Sequence, residues 1–332
     1  MVFDQLKVSV VLAVYNADKY IANAIESVLS QTLSDWELLI VNDGSTDNSL
    51  KIIENYALQD NRIIVIENSQ NIGLSLSLNK GIDIAKGQYI ARMDADDIAL
   101  SNRLERQVSF LQDNLDHYLV GGNATYMDES GIEAGQSNLP LHDWEIRGRC
   151  LFHNPFIHPA TMMRADLFRS NSGIRYDSSF DTTQDWRLWI DFLNTGKAAN
   201  LAEPVIKQRI HENSVSVKKR AQQIQNSLRI QEKYCKDLLG DTSWDKDFFL
   251  ELNTVFLSDR AIADKLGRDR VKVCHQVLSF SEEINAMLPT SSVKPTTAFI
   301  LRRCVVMGLM PPIKNGWSKL FFRIMSRSLS LI

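Results

Sequence analysis

Three carboxylates fall within four residues at Asp94-Ala95-Asp96-Asp97. Alternating carboxylates on a short loop offer hard oxygen ligands to a divalent cation, and one or two suffice when phosphate oxygens complete the shell. The competing reading is an acidic turn whose charge favours the N-terminus of the helix opening near Ser101. A second acidic turn is Asn42-Asp43-Gly44-Ser45-Thr46-Asp47. It reads either as a turn followed by a helix cap at Thr46 or Asp47, or as a carboxylate, Asp43, that accepts a hydrogen bond from a nucleobase imide. In Gln184-Asp185-Trp186, Asp185 opens a helical pattern. It is either a charge favoured by the helix dipole or a base within reach of a bound hydroxyl, with Asp177, Asp181 and Asp191 as rivals. Among six histidines, His158 and His211 adjoin strand patterns, where a lone histidine is commonly structural.

The elements around these residues follow a simple alternation. Lys7–Val14 is a continuous apolar run, as expected of a strand covered on both faces. A helical pattern through Ile21, Ile25, Val28 and Leu29 follows. Trp36–Val41, Arg62–Ile66 and Gln88–Met93 read as further strands. The helices between and after them start near Asp47, span Leu74–Ala85, and start near Ser101. Repeated β-α-β units predict an α/β fold with a mainly parallel central sheet. Ligands of such sheets bind beyond the carboxyl ends of the strands. Asp43 and the Asp94–Asp97 loop both lie at that edge, so one crevice is expected to receive both. Further on, Tyr118–Tyr126, Thr161–Arg164 and Val205–Ile210 read as strands, and Trp144–Phe152 and Asp185–Leu193 as helices. Helical periodicity dominates from Val215, which places a domain boundary at 214/215, with a helical C-terminal region over residues 215–332.

Composition narrows the class. The chain has 332 residues, 44% hydrophobic and 23% charged, with net charge −3, which suits a soluble globular protein and excludes a disordered or collagenous one. The near-neutral charge argues against a dedicated nucleic-acid binder. No apolar run reaches the roughly 18 residues of a membrane span, and the N-terminus does not read as a signal peptide. Cys150, Cys235, Cys274 and Cys304 are far apart and read as buried thiols of a reducing compartment. No Walker A loop, G-x-G-x-x-G turn, G-x-S-x-G elbow or H-E-x-x-H helix occurs, which sets aside P-loop enzymes, dinucleotide dehydrogenases, α/β-hydrolases and zincins.

The charge is uneven. Residues 284–332 hold Lys294, Arg302, Arg303, Lys314, Lys319, Arg323 and Arg327 and no acidic residue. Interleaved Trp and Phe residues make this tail either an amphipathic surface for anionic membranes, over residues 296–332, or a helix packed on the catalytic domain.

Taken in order, several motifs resemble the family 2 glycosyltransferases of the GT-A fold, over about residues 7–216. These are Val8-Ser9-Val10-Val11, Val14-Tyr15-Asn16, the Ser27–Thr32 segment, Val41–Asp47, Asn71-Ile72-Gly73-Leu74, Asn79-Lys80-Gly81-Ile82, Asp94–Asp97, Ile157-His158-Pro159, Gln184-Asp185-Trp186 and Arg209–Ser214. The resemblance implies an inverting sugar transfer from a nucleoside diphosphate sugar, usually a UDP-sugar, to a glycan or lipid-linked hydroxyl. It implies a hexosyl- or N-acetylhexosaminyltransferase of bacterial-type surface polysaccharide synthesis, working on the cytoplasmic face of the membrane. By position, Ala13 and Tyr15 line the nucleotide pocket and Asp43 bonds uracil. Asp94 contacts the ribose or the metal's water shell, and Asp96 ligates Mn2+ or Mg2+. Asp185 matches the catalytic base, His211 a position near the metal or diphosphate, and His158 the acceptor side. Asn42, Leu78 and Gln184 depart from residues common in the family, an Asp, a basic residue and a Glu. Two rivals stand beside this reading. A sugar-nucleotide pyrophosphorylase needs a Gly-rich, Arg-containing loop where Ala13-Val14-Tyr15-Asn16 stands. A non-catalytic binding module would tolerate loss of the acidic loop or of Asp185, and both are present.

Overall fold

β1 (Val8–Val14) sits in the middle of the parallel half of the sheet, with six of its seven residues buried. It pairs parallel with β2 (Trp36–Asn42) on one side and β4 (Tyr89–Asp94) on the other, and β2 pairs parallel with β3 (Ile63–Glu67). The computed structural model describes residues 6–210, apart from 152, 171 and 172, and residues 220–239. His211, Cys274, Cys304, the 214/215 boundary and the tail over 284–332 lie outside the described residues.

Both faces of β1 are covered, which is why its sequence shows no polar alternation. On one face Val8, Val10 and Leu12 join Ile21, Ile25 and Val28 of α1 (Ile21–Leu29). Leu104, Val108 and Leu111, carried on the helix that follows β4, complete this cluster. Each such side chain contributes about 1.5–3 kcal/mol when fully buried. Between these strands lie α2 (Ser49–Ala57) and α3 (Leu74–Ile84). On the opposite face α3 approaches closely. A Cβ at Gly81 would lie 2.7 Å from Val11 Cγ1, so only glycine lets the helix sit there.

Beyond β4 the sheet becomes mixed. After β5 (Ile98–Ala99) and α4 (Arg103–Asp113) come β6 (His117–Met127), β7 (Glu133–Gln136), β8 (Met162–Arg164) and β9 (Lys197–Arg209). The described residues form a nine-stranded sheet in the order β3-β2-β1-β4-β8-β6-β9-β5, with β7 on β6. β8 runs antiparallel to β4 and brings the 3-10 turn His158–Ala160 beside it. The sequence pattern predicts a strand only from Val205, whereas β9 begins at Lys197. Pro204 breaks the pattern but not the strand, because it sits opposite Asn123 at a register shift where no ladder N–H is required. The remaining helices are α5 (Asp143–Cys150), α6 (Asp166–Arg169), α7 (Gln184–Thr195) and α8 (Arg220–Leu239).

Gln31 fastens the helix that follows the acidic loop. Its Oε1 accepts the Leu104 N–H (3.0 Å), and its Nε2 donates to the carbonyls of Ser27 and Leu100 (3.0 and 2.8 Å). The Ser27–Thr32 segment therefore serves as a brace for α4. By internal contacts the chain divides into two compact units, Met1–Ile146 with Asn154–Asn226, and Arg147–His153 with Ser227–Ile332. Cys150 and Cys235 are buried, as expected. Among the described residues no helix is long and apolar enough to cross a membrane.

Candidate active site

The strand register aligns the ends of three strands. Val14 lies opposite Asn42, and Ala13 opposite Asp94. The loops leaving β1 and β2 are stitched to each other by side chains. Asn16, in the left-handed region at φ 52°, accepts the Thr46 N–H (2.8 Å) and donates its own N–H to Ser45 Oγ (3.1 Å). Asparagine tolerates that conformation better than most residues. Ser49 Oγ accepts the Ala17 N–H (2.9 Å) and Asp47 Oδ2 the Asp18 N–H (3.0 Å). Gly44 is obligatory, because φ is +69° and a Cβ would lie 2.7 Å from the Gln70 carbonyl carbon.

Asp43 is only 3% exposed. Its Oδ1 accepts from Asn68 Nδ2 (2.8 Å) and the Ile72 N–H (2.9 Å), and its Oδ2 from the Gly73 N–H (2.9 Å). Asn68 in turn donates to Ser77 Oγ and accepts from Lys80 Nζ (2.6 Å). The carboxylate thus pins the Asn71–Gly73 segment against β2. Leu78 is buried, so it faces packing.

A cavity of about 600 Å³ opens at this edge. Ala13, Tyr15, Asp43, His158 and Asp185 all line it, together with residues 71–76 and 181–184. Five residues named from sequence therefore share one cavity, and Tyr15 is half exposed at its wall. Asp94 and Asp96 are not among its lining.

The acidic loop stands one strand away. One carboxylate oxygen each of Asp94, Asp96 and Asp97 lies within 4.8 Å of the others. Asp97 is 2% exposed, and its Oδ1 accepts the Arg209 N–H (2.8 Å). Burial, with repulsion from Asp94 and Asp96, holds its carboxyl well above the ordinary aspartate range. Arg209 also donates Nε–H to the Asp96 carbonyl (3.0 Å) and Nη1–H to the carbonyls of Asp128 and Glu129 (2.9 Å each). Its guanidinium lies 4.5 Å from the centroid of the Tyr20 ring. From inside the sheet, buried Arg92 forms an ion pair with Asp94.

Asp185 occupies the first turn of α7, after Thr183 in the left-handed region at φ 63°. Its Oδ2 accepts from Asn154 Nδ2 at 2.5 Å. Burial pushes its carboxyl above the ordinary range, while the Trp186 N–H, Asn154 and the Arg92 charge favour the ionised form. Of the rivals, Asp191 is paired with Arg187 (2.7 Å), Asp177 is exposed and accepts the Ser179 N–H, and Asp181 lines the cavity with Asp185. His158 Nε2 lies 2.7 Å from the Tyr176 hydroxyl, and its ring meets Trp189 edge-on. Burial, then the Arg92 charge, lowers its pKa well below the ordinary value, so the ring is neutral at neutral pH.

Sequence reasoning did not single out Arg92, Asn154 or Tyr176. An arginine inside an apolar strand was a visible signal for the first; nothing local marks the other two. Asn79, in the Asn79-Lys80-Gly81 motif, grips the Tyr176 backbone through two hydrogen bonds (2.9 and 3.1 Å).

Comparison with known proteins places these features. Residues 9–170 match the family model for glycosyl transferase family 2. The putative glycosyltransferase EpsE of Bacillus subtilis is 36% identical over 219 residues, covering 65% of this chain and 76% of that protein. The O-antigen biosynthesis glycosyltransferase WbnJ of Escherichia coli is 35% identical over 212 residues, covering 62% and 81%. The crystal structure of S. aureus TarS 1–349 in complex with UDP-GlcNAc superposes with a TM-score of 0.59 at 18% identity, covering 91% of this chain and 87% of that one. The mannosyltransferase PcManGT of Pyrobaculum calidifontis, solved with GDP-Man and Mn2+, gives 0.57 at 12% identity, covering 99% and 86%. Strand-end loops, shared fold and sequence identity converge on one assignment: this chain belongs to glycosyl transferase family 2, has the GT-A fold and is a glycosyltransferase.

Proposed function

We propose that the chain moves a sugar from a UDP-sugar to a hydroxyl of a glycan or lipid-linked acceptor, with inversion at the anomeric carbon. The observation that carries this reading is the single cavity that Tyr15, Asp43, His158 and Asp185 line together, with the acidic loop on the adjoining strand end. Hydrogen-bond accounting at Asp43 supports a pyrimidine imide, as in uracil, over guanine. Three acceptor positions of the carboxylate are filled by Asn68, Ile72 and Gly73. Of the roughly four lone-pair sites of a carboxylate, one on Oδ2 remains, which suits the single N–H of a uracil imide. Guanine presents adjacent donors and would demand both oxygens.

The acidic loop fits a divalent cation. Its donor atoms are all carboxylate oxygens, which suits Mn2+ or Mg2+. The buried Asp97 Oδ2 has no hydrogen-bond partner among the described residues, a deficit that a cation would fill. Asp94, Asp96 and Asp97 are the residues that would hold it, and it would supply Lewis-acid stabilisation of charge on the departing diphosphate. His211 lies outside the described residues.

Asp185 serves as the base. An acceptor hydroxyl is a weak nucleophile at neutral pH, so its proton passes to Asp185 as attack proceeds. Burial makes this carboxylate a stronger base than a solvated aspartate, and Asn154 fixes its direction. One base with direct displacement gives inversion; the covalent route needs a second close carboxylate as nucleophile. A relative named for O-antigen biosynthesis supports a surface polysaccharide as the acceptor class.

A donor screen with UDP-, GDP- and dTDP-sugars, following nucleotide release with Mn2+, tests this reading. Turnover with a UDP-sugar is expected, lost on chelation, in Asp96→Ala and in Asp185→Asn. Activity that survives chelation and Asp96→Ala would remove the metal from the reading, and activity that survives Asp185→Asn would remove the base.

A further inference from the structure

β4 alternates its faces. Tyr89, Ala91 and Met93 enter the main core, so Ile90, Arg92 and Asp94 share the other face. Arg92 is 3% exposed, and burying a guanidinium carries a large desolvation cost that its bonds must offset. Those bonds are few. Nη1 forms the ion pair with Asp94, and Nε finds no acceptor among the described residues. The Arg92 backbone is held independently, its N–H donating to the Thr161 carbonyl (3.0 Å) and its carbonyl accepting from Arg103 Nη2 (2.7 Å). Arg103 is a second buried cation alongside, so the pocket is already unfavourable for positive charge. Arg92 is thus neither a saturated structural fork nor a backbone brace. What it supplies is one positive charge directly beneath the acidic loop.

We propose that Arg92 is a positioning residue that sets the charge balance of the donor site, weakening the loop's hold on a free divalent cation while strengthening the hold on the diphosphate. The inference rests on the metal and diphosphate reading above. Three carboxylates gathered within 4.8 Å would otherwise attract a dication and repel a diphosphate. In a low-dielectric setting one fixed cation acts strongly on both. Its removal therefore moves the two affinities in opposite directions, whereas loss of a merely structural side chain weakens both.

The test is calorimetric and independent of turnover. In the full chain at pH 8, Mn2+ is titrated without nucleotide and UDP without metal, into wild type, Arg92→Gln and Arg92→Lys. Arg92→Gln is expected to bind Mn2+ about tenfold more tightly and UDP about tenfold more weakly. Arg92→Lys keeps the charge and is expected within about threefold of wild type for both, because the fork geometry is unused. Parallel weakening of both ligands in Arg92→Gln, or no change in either, overturns the proposal. Should Arg92→Gln not fold, Arg92→Lys decides: near-wild-type values support the charge role, and loss of both affinities overturns it. If neither wild type nor Arg92→Gln binds Mn2+, the metal reading falls and takes this inference with it; equal Mn2+ and UDP affinities remove the inference alone.

Discussion

Asn154 Nδ2 lies 2.5 Å from Asp185 Oδ2, across 31 residues of sequence. Asn154 is itself oriented, since its Oδ1 accepts the Phe156 N–H at 3.1 Å. A hydrogen bond that stabilises the ionised carboxylate opposes the effect of burial. In Asn154→Ala the Asp185 pKa rises further, so the rising limb of the kcat/KM profile moves to higher pH. At neutral pH the rate falls by about tenfold, the scale of one charge-assisted hydrogen bond. A pH–rate profile of both proteins checks this; a uniform fall with no displacement of the limb counts against it.

The same carboxylate costs stability. A folded-state pKa raised above the unfolded value means that ionisation is harder in the fold. Below the unfolded pKa both states are protonated and no penalty exists. It appears as pH rises between the two values and is complete above the folded one. Asp185→Asn is therefore expected to melt a few °C higher than wild type at neutral pH, with the gap closing as pH falls through that window. Thermal melts across pH read it out directly.

Tyr15 is half exposed on the cavity wall, where it can stack on a base. Stacking of this kind is worth about 1–3 kcal/mol. Tyr15→Ala is expected to weaken UDP binding by about 5- to 150-fold, while Tyr15→Phe stays near wild type. Calorimetry with UDP separates the two.

At Asp43 three donors converge on one carboxylate. Asp43→Asn places an amide N–H against at least one of them, leaving a buried donor unpaired. The expected cost is about 1–3 kcal/mol of stability, measured by urea unfolding, together with loss of UDP affinity.

The parallel half of the fold was legible because its strands are covered on both faces and end abruptly at polar turns. Val8–Val14 and Trp36–Asn42 carry that pattern within one short window. Asp43, Asp94 and Asp185 were legible as turn or helix-start carboxylates. Asn154 was not, because an isolated Asn gives no local sign of the helix it will meet. Nor was the upstream half of β9, where Pro204 hides a bulge that only the pairing with Asn123 reveals. Nor does any local pattern show that the partner of Asn79 is the Tyr176 backbone, 97 residues away.

Ala13 sits between Val41 on one neighbouring strand and Asp94 on the other. Side chains alternate with a period of two, so a slip of β4 by one residue would send Arg92 and Asp94 into the apolar core and turn Met93 outward. The distance between nucleotide-side and metal-side groups is therefore digital: it changes in whole residues, with loss of the core, or not at all. Diversification of such a scaffold is confined to the turns that leave the strands, where length and composition can vary while the spacing beneath them stays constant.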